Sequence, residues 1–233
     1  MTSEAKPSII PVMIRALIFD FDGLIFDSET TDFISWQETF AAHGVELARE
    51  VWALHIGTIT FSPYLHLEEL LGRPIDRKAV HDVRKARDNE LIAAQTIMPG
   101  VEDYLAQARA LGLKLAVASS SNHQWVDGHL QRLGLFDQFE FVFCNDDVGG
   151  VGKPNPAVYQ AAVSALNIAP HEGLALEDSA NGVTAAKGAG LWCTAVPNQM
   201  TRDLNFDHAD YRLSALTDMP LSQLIAEVTH GPN

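Results

Sequence analysis

The first clear pattern along the chain is an apolar run, Ala16-Leu17-Ile18-Phe19, that stops at Asp20-Phe21-Asp22-Gly23. Apolar at every position rather than at alternate ones, it predicts a strand buried on both faces, as at the centre of a parallel sheet. The period then changes. Phe33, Trp36, Gln37 and Phe40 recur three and four apart, predicting a helix over 28–42 with Ser28 as its N-cap, Glu29 in its first turn and Gly44 as its stop. Helical periods continue to about residue 96, broken at Gly57, Pro63 and Gly72-Arg73-Pro74. The last of these helices, over 77–94, is charged enough to leave one face in solvent.

Beyond Met98-Pro99-Gly100 helical stretches alternate with short apolar runs, the signature of βα units in a parallel sheet. Strands are expected over 114–118, 139–144, 174–176 and 192–196, and helices over 101–111, 122–133, 156–166, 180–189 and 221–228. The predicted fold class is α/β, a doubly wound (Rossmann-like) parallel sheet with an all-helical insert after the first strand. The core then comprises 12–27 and 98–233, the insert 28–97, and residues 1–11 a flexible leader.

Composition narrows the function classes. The chain has 233 residues, 47% of them hydrophobic, and a net charge of −14 from 30 acidic and 16 basic residues. Such a balance repels nucleic acid and anionic membrane surfaces, so neither is an expected partner. No apolar run approaches the roughly 18 residues of a membrane span, and the expected location is cytoplasmic. Cys144 and Cys193 form no CxxC or Cys/His pattern and read as small core residues. A monomer or weak dimer is the expected state.

In an open parallel sheet, functional groups collect beyond the carboxyl ends of the strands. Asp20 and Asp22 follow the first strand and, two apart on extended chain, point the same way, an arrangement a divalent cation would relieve. A pair of solvated turn aspartates would leave the same letters. Ser119, Ser120, Ser121 and Asn122 follow the second strand and open a helix, where hydroxyls and free N–H groups either cradle a phosphate or simply cap. Gly152-Lys153-Pro154 sits in a loop that either delivers a cation to the strand ends or leaves it in solvent. Glu177 and Asp178 end another apolar strand, before Ser179.

Asp-x-Asp-Gly, then a strand-terminal Ser, then Gly-Lys-Pro, then Glu-Asp-Ser, each after an apolar strand, resembles the haloacid dehalogenase superfamily over 15–197. The helical insert resembles the small cap of its β-phosphoglucomutase-like branch. The resemblance implies that Asp20 is a nucleophile forming an aspartyl phosphate and that Asp22 is the acid and base. It further implies Mg²⁺ held by Asp20, the Asp22 carbonyl and Asp178, with Glu177 an additional or outer ligand. Ser119, Ser120 and Lys153 would bind phosphate. Thr31, Asp32, Trp36, Thr58, Thr60, Lys85 and Arg87 are the candidate selectors in the cap. Where that branch's mutase has a cap histidine this chain has Asp32, and near its phosphate-gripping arginine lies Thr60. The implied activity is a Mg²⁺-dependent phosphatase for a small phosphorylated metabolite, with sugar-phosphate mutase or a non-catalytic binding module as alternatives.

Overall fold

The computed structural model describes residues 13–56 and 61–230, so the leader expected at 1–11 lies outside the described residues. Its centre is one sheet of six parallel strands: β1 (Ala16–Phe19), β2 (Lys114–Ala118), β3 (Phe141–Phe143), β4 (Gly173–Glu177), β5 (Trp192–Ala195) and β6 (Tyr211–Arg212). Their order is β3-β2-β1-β4-β5-β6. The chain builds outward from β1 on one side and then returns to its other side. β1, wholly buried, is therefore the switch point, and the carboxyl ends of β1, β2 and β4 border one crevice.

Alternation along β1 distributes the core between two layers. Leu17 and Phe19 face α5 (Val101–Ala110), α6 (His123–Arg132) and α9 (Leu221–His230), through Tyr104, Leu105, Val126, Leu130, Leu221 and Leu224. Ala16 and Ile18 face α7 (Ala157–Leu166) and α8 (Ala180–Gly188), whose Val158, Ala162, Val183 and Ala186 form a layer of smaller side chains. Cys144 and Cys193 are buried and free, as expected for small core residues. Among the described residues no helix is long and apolar enough to cross a membrane.

Among the described residues, four helices interrupt this core after β1: α1 (Ser28–Ala42), α2 (Arg49–Ala53), α3 (Pro63–Leu71) and α4 (Arg77–Ala93). They gather Phe33, Trp36, Phe40, Trp52 and Leu67 into an apolar cluster of their own, which Met200 joins from the core. The two connecting segments are paired: Phe26 bridges Ile97, and the Met98 N–H donates to the Ile25 carbonyl at 2.9 Å. Polar contacts tie the far side of the insert to the core, among them Arg49 Nη1 to the Gln199 carbonyl at 3.2 Å. Asn181 Nδ2 donates to the Ile56 carbonyl at 2.9 Å, and Arg49 pairs with Asp203 at 2.5 Å.

Some boundaries differ from the sequence reading for identifiable reasons. Asp27, not Ser28, caps α1, accepting from the Thr30 N–H at 3.1 Å, because the Ser28 hydroxyl is turned to Asp22. β3 starts at Phe141 because Phe139 still closes the tight turn Phe136–Gln138, and it ends before Cys144, which opens another. The two-residue β6 had no predicted counterpart.

Core burial sets a simple stability contrast. Leu176, fully buried between β1 and the α5 layer, should cost about 2–5 kcal/mol when changed to Ala. Leu111, half exposed, should cost no more than about 0.5 kcal/mol. Urea denaturation of the two variants measures the difference.

Candidate active site

Asp20 leaves β1 with its N–H still bonded to the Leu176 carbonyl at 3.0 Å, so its backbone is fixed by β4. Its side chain is buried, and Lys153 Nζ donates to Oδ1. The same ammonium donates to Glu177 Oε1 at 2.5 Å, and neither Lys153 nor Glu177 meets solvent to any useful extent. Glu177 also accepts from the Tyr159 hydroxyl at 2.6 Å and from Ser179 Oγ at 3.2 Å. The carboxylate rests on the first turn of α8, where a Cβ on Gly182 would lie 1.9 Å from Oε2. Glycine is required there by close approach, and the positive end of the helix favours the charge.

Asp178 projects beside them, almost wholly buried, and Asn198 Nδ2 donates to its Oδ2 at 2.7 Å while also reaching the Gly23 carbonyl at 3.2 Å. Gly23 has φ +82°, and a Cβ on it would stand 2.2 Å from Asp178 Oδ2. In its present position the turn after Asp22 therefore has no room for a side chain, and one added there would push the loop away from Asp178.

Carboxylate oxygens of Asp20, Glu177 and Asp178 lie within 4.8 Å of one another. Burial pushes Asp20 up to about 8 from its ordinary 3.8, against the pull of Lys153 and with help from Glu177 and Asp22. Asp178 is held well above the carboxylate range by burial, then by Asp20 and Glu177. Burial alone would lower Lys153, but the two carboxylates facing it outweigh that and raise it. Three acids against one lysine make a set of hard oxygen donors short of positive charge, which fits a small divalent cation. Because both Glu177 oxygens carry hydrogen bonds from protein donors, Asp20 and Asp178 are the carboxylates left to face such an ion.

Asp22 is surrounded differently. Oδ1 accepts from Ser28 Oγ at 2.6 Å and Trp125 Nε1 at 2.8 Å, and Oδ2 from Ser121 Oγ at 2.6 Å and more weakly from Ser119 Oγ at 3.4 Å. Four donors suit the ionised form of this group. Ser120 points elsewhere: its hydroxyl accepts from the Lys153 N–H at 3.0 Å, which braces the lysine loop.

A cleft of about 270 Å³ separates Asp22, Ser121 and Trp125 from Glu29, Asp32, Arg84, Lys85 and Asp88 of the insert. A neighbouring hollow of about 240 Å³ shares Glu29, Asp32 and Arg84 and adds Trp36. A larger concavity, about 580 Å³, lies beside Met98 and Pro99 and is lined by none of the clustered acids. Of the cap selectors expected from sequence, Asp32, Trp36 and Lys85 line these clefts. Thr31 does not, its hydroxyl being spent on the Ser28 carbonyl at 2.8 Å. Arg87 lies on another face, clasped by Glu38 at 2.9 and 3.0 Å. Thr58 and Thr60 lie outside the described residues.

Ser28, Trp125, Tyr159, Asn198, Glu29 and Arg84 had no site role in the sequence reading. Trp125 and Tyr159 sit where helical periodicity alone assigns a core position, and Arg84 is one cation among many on a charged helix. A sharper signal was available for Glu29, an acid in the first turn of the helix that follows the Asp-x-Asp-Gly loop.

A family model described as haloacid dehalogenase-like hydrolase matches residues 14–190. The chain belongs to this family. Among curated relatives, a Bacillus subtilis protein named as a phosphatase, YhcW, is 46% identical over 214 residues, covering 91% of this chain and 97% of the relative. Hexitol phosphatase B of Escherichia coli K12 is 28% identical, covering 92% and 98%. Among solved structures, a mutant CbbY of Rhodobacter sphaeroides in complex with xylulose-(1,5)bisphosphate superposes with a TM-score of 0.72 at 31% identity, covering 91% of this chain and 99% of that one. This chain is accordingly a hydrolase of the phosphatase kind.

Gly23→Ala tests the close approach of the loop to Asp178. The variant should fold and lose activity about 100-fold, as expected when a reacting group shifts by roughly an ångström. Steady-state kinetics beside a melting curve measures both.

Proposed function

We propose that this protein is a Mg²⁺-dependent phosphomonoesterase that removes phosphate from a small phosphorylated metabolite of the carbohydrate type through an aspartyl phosphate on Asp20. The observation that carries the reading is the buried contact of Lys153 with both Asp20 and Glu177, beside Asp178. A lysine so placed keeps the nucleophile's Oδ1 occupied and leaves the other oxygen to attack. The names of the phosphatase relatives support the substrate class.

Asp20, the Asp22 backbone carbonyl and Asp178 would hold the ion. When bound, Mg²⁺ supplies positive charge that lets an anionic carboxylate meet an anionic phosphate. The rest is done by side chains. A carboxylate oxygen of Asp20 bonds to phosphorus, the P–O bond to the substrate alcohol breaks, and the leaving oxygen takes a proton from the Asp22 carboxyl. In the second half Asp22, now ionised, removes a proton from water as its oxygen bonds to phosphorus and the P–O bond to Asp20 breaks, releasing inorganic phosphate. The present bonds of Asp22 to Ser28, Ser121 and Trp125 fit its ionised state, and the acid step requires it to give up some of them.

Lys153 has three N–H bonds, of which Asp20 and Glu177 use two, so the third remains for a phosphoryl oxygen. Ser119 accepts from the Ser121 N–H at 3.0 Å and holds Asp22 only loosely, which leaves its hydroxyl proton for the same phosphate. These donors stabilise oxygens that gain charge in the transition state. Ser120 serves indirectly by holding the lysine loop.

Asp20→Asn should lower kcat by a factor on the order of 10⁴ or more while the circular dichroism spectrum stays native. Retained hydrolysis of p-nitrophenyl phosphate would refute the nucleophile. A second outcome concerns pH. Between the ordinary 3.8 and about 8 the folded, cation-free chain holds a proton on Asp20 that the unfolded chain releases, so its stability falls as pH rises through that window. Mg²⁺ requires the ionised carboxylates. The rise in melting temperature on adding Mg²⁺ should therefore be larger at about pH 8 than at about pH 5. An equal or smaller rise would count against the ligand set.

A further inference from the structure

The insert's side of the cleft presents acids and cations that are already matched to one another. Arg84 Nη1 donates to Asp32 Oδ1 at 2.6 Å and Ser35 Oγ at 3.0 Å, and lies 3.9 Å from Asp88 Oδ2. Its guanidinium stacks 4.8 Å from the Trp36 ring centre, and the side chain is only 10% exposed. Lys85 Nζ donates to Asp88 Oδ2 at 2.8 Å and stands 5.5 Å from the Trp125 ring centre. Glu29 faces the same space as a further acid, opposite Asp22.

Each cation that reaches the cleft thus already faces a carboxylate, Arg84 at Asp32 and Lys85 at Asp88, and acids outnumber cations there. Asp88, 4% exposed, has Oδ1 without a hydrogen-bond partner among the described residues, and Arg84 Nε is in the same position. The carboxylate that the cleft does expose is that of Asp32, 42% accessible, and a carboxylate is an acceptor for hydroxyl groups. A second phosphate would meet repulsion from Asp32 and Asp88. To recruit Arg84 it would have to break the Asp32 pair and strand a half-buried carboxylate.

We propose that this cleft selects polyhydroxy monophosphates and rejects bisphosphates, and that Asp32 is the selecting residue because it keeps Arg84 from a second phosphate. The inference rests on the phosphatase reading and adds the charge class of its leaving group. Asp32 accepts a hydroxyl of the departing alcohol, while the single phosphate occupies the Asp20 side.

The test uses matched pairs with Mg²⁺ present: fructose 6-phosphate against fructose 1,6-bisphosphate, and xylulose 5-phosphate against xylulose 1,5-bisphosphate, with p-nitrophenyl phosphate as a generic probe. In the wild type kcat/KM should favour each monophosphate by about tenfold or more. Asp32→Ala should shrink that ratio about tenfold, mainly through a lower KM for the bisphosphate, and adding Arg84→Ala should restore it. Calorimetric binding to Asp20→Asn should show the same preference without turnover. Equal or better use of bisphosphates by the wild type, a ratio unmoved in folded Asp32→Ala, or turnover of p-nitrophenyl phosphate alone would overturn the inference and leave the phosphatase reading standing. Inertness towards every compound would overturn both.

Discussion

The structure depends on one buried ammonium. Lys153 sits between Asp20 and Glu177, with almost none of its side chain reaching water. Burying a charge is costly unless it is paired and its hydrogen-bonding capacity used, and nearly everything around the site answers that requirement. Tyr159 and Ser179 fill the remaining capacity of Glu177, Gly182 removes the side chain that would displace it, and Ser120 holds the lysine backbone. These groups come from β1, β4, α7, α8 and two loops, so the pairing exists only when the sheet has closed in its final order. Three acids with one lysine still leave a deficit of positive charge, and a bound cation is the simplest way to supply it.

The insert has a different relation to the chemistry. It packs on its own apolar cluster and meets the core through a paired hinge and a few polar contacts, so it can vary without disturbing the strand ends. Its contribution is the wall of the cleft opposite Asp22. There Arg84 pairs with Asp32 and Lys85 with Asp88.

Much of the fold was legible because apolar periodicity and the helix-stop glycines agree along the chain. The strand-end residues stood out because Asp20, Lys153, Glu177 and Asp178 interrupt or follow apolar runs with charges that packing cannot use, and the structure brings those four together. Less was legible where one residue type serves two purposes. Ser28 has the letters of a helix cap, yet its hydroxyl is drawn to Asp22 and the cap passes to Asp27. Trp125 and Tyr159 satisfy a core pattern while their N–H and O–H groups face carboxylates. On α4 the charged sequence suggested solvent, whereas the tertiary fold turns Arg84 inward onto Trp36 and leaves Arg87 outside with Glu38. β6 is too short to leave a period at all.

The central claim is that Asp20, one of the two carboxylates paired with Lys153, carries the phosphoryl group. It is tested most directly by quenching the enzyme in acid during steady turnover with Mg²⁺ and mapping phosphorylated peptides by mass spectrometry. The account predicts one phosphoryl group, on Asp20 in the peptide containing Asp20 and Asp22, disappearing when substrate is exhausted. A phosphoryl group on any other residue, or an unmodified enzyme under conditions where substrate is being consumed and release is slow, would contradict it.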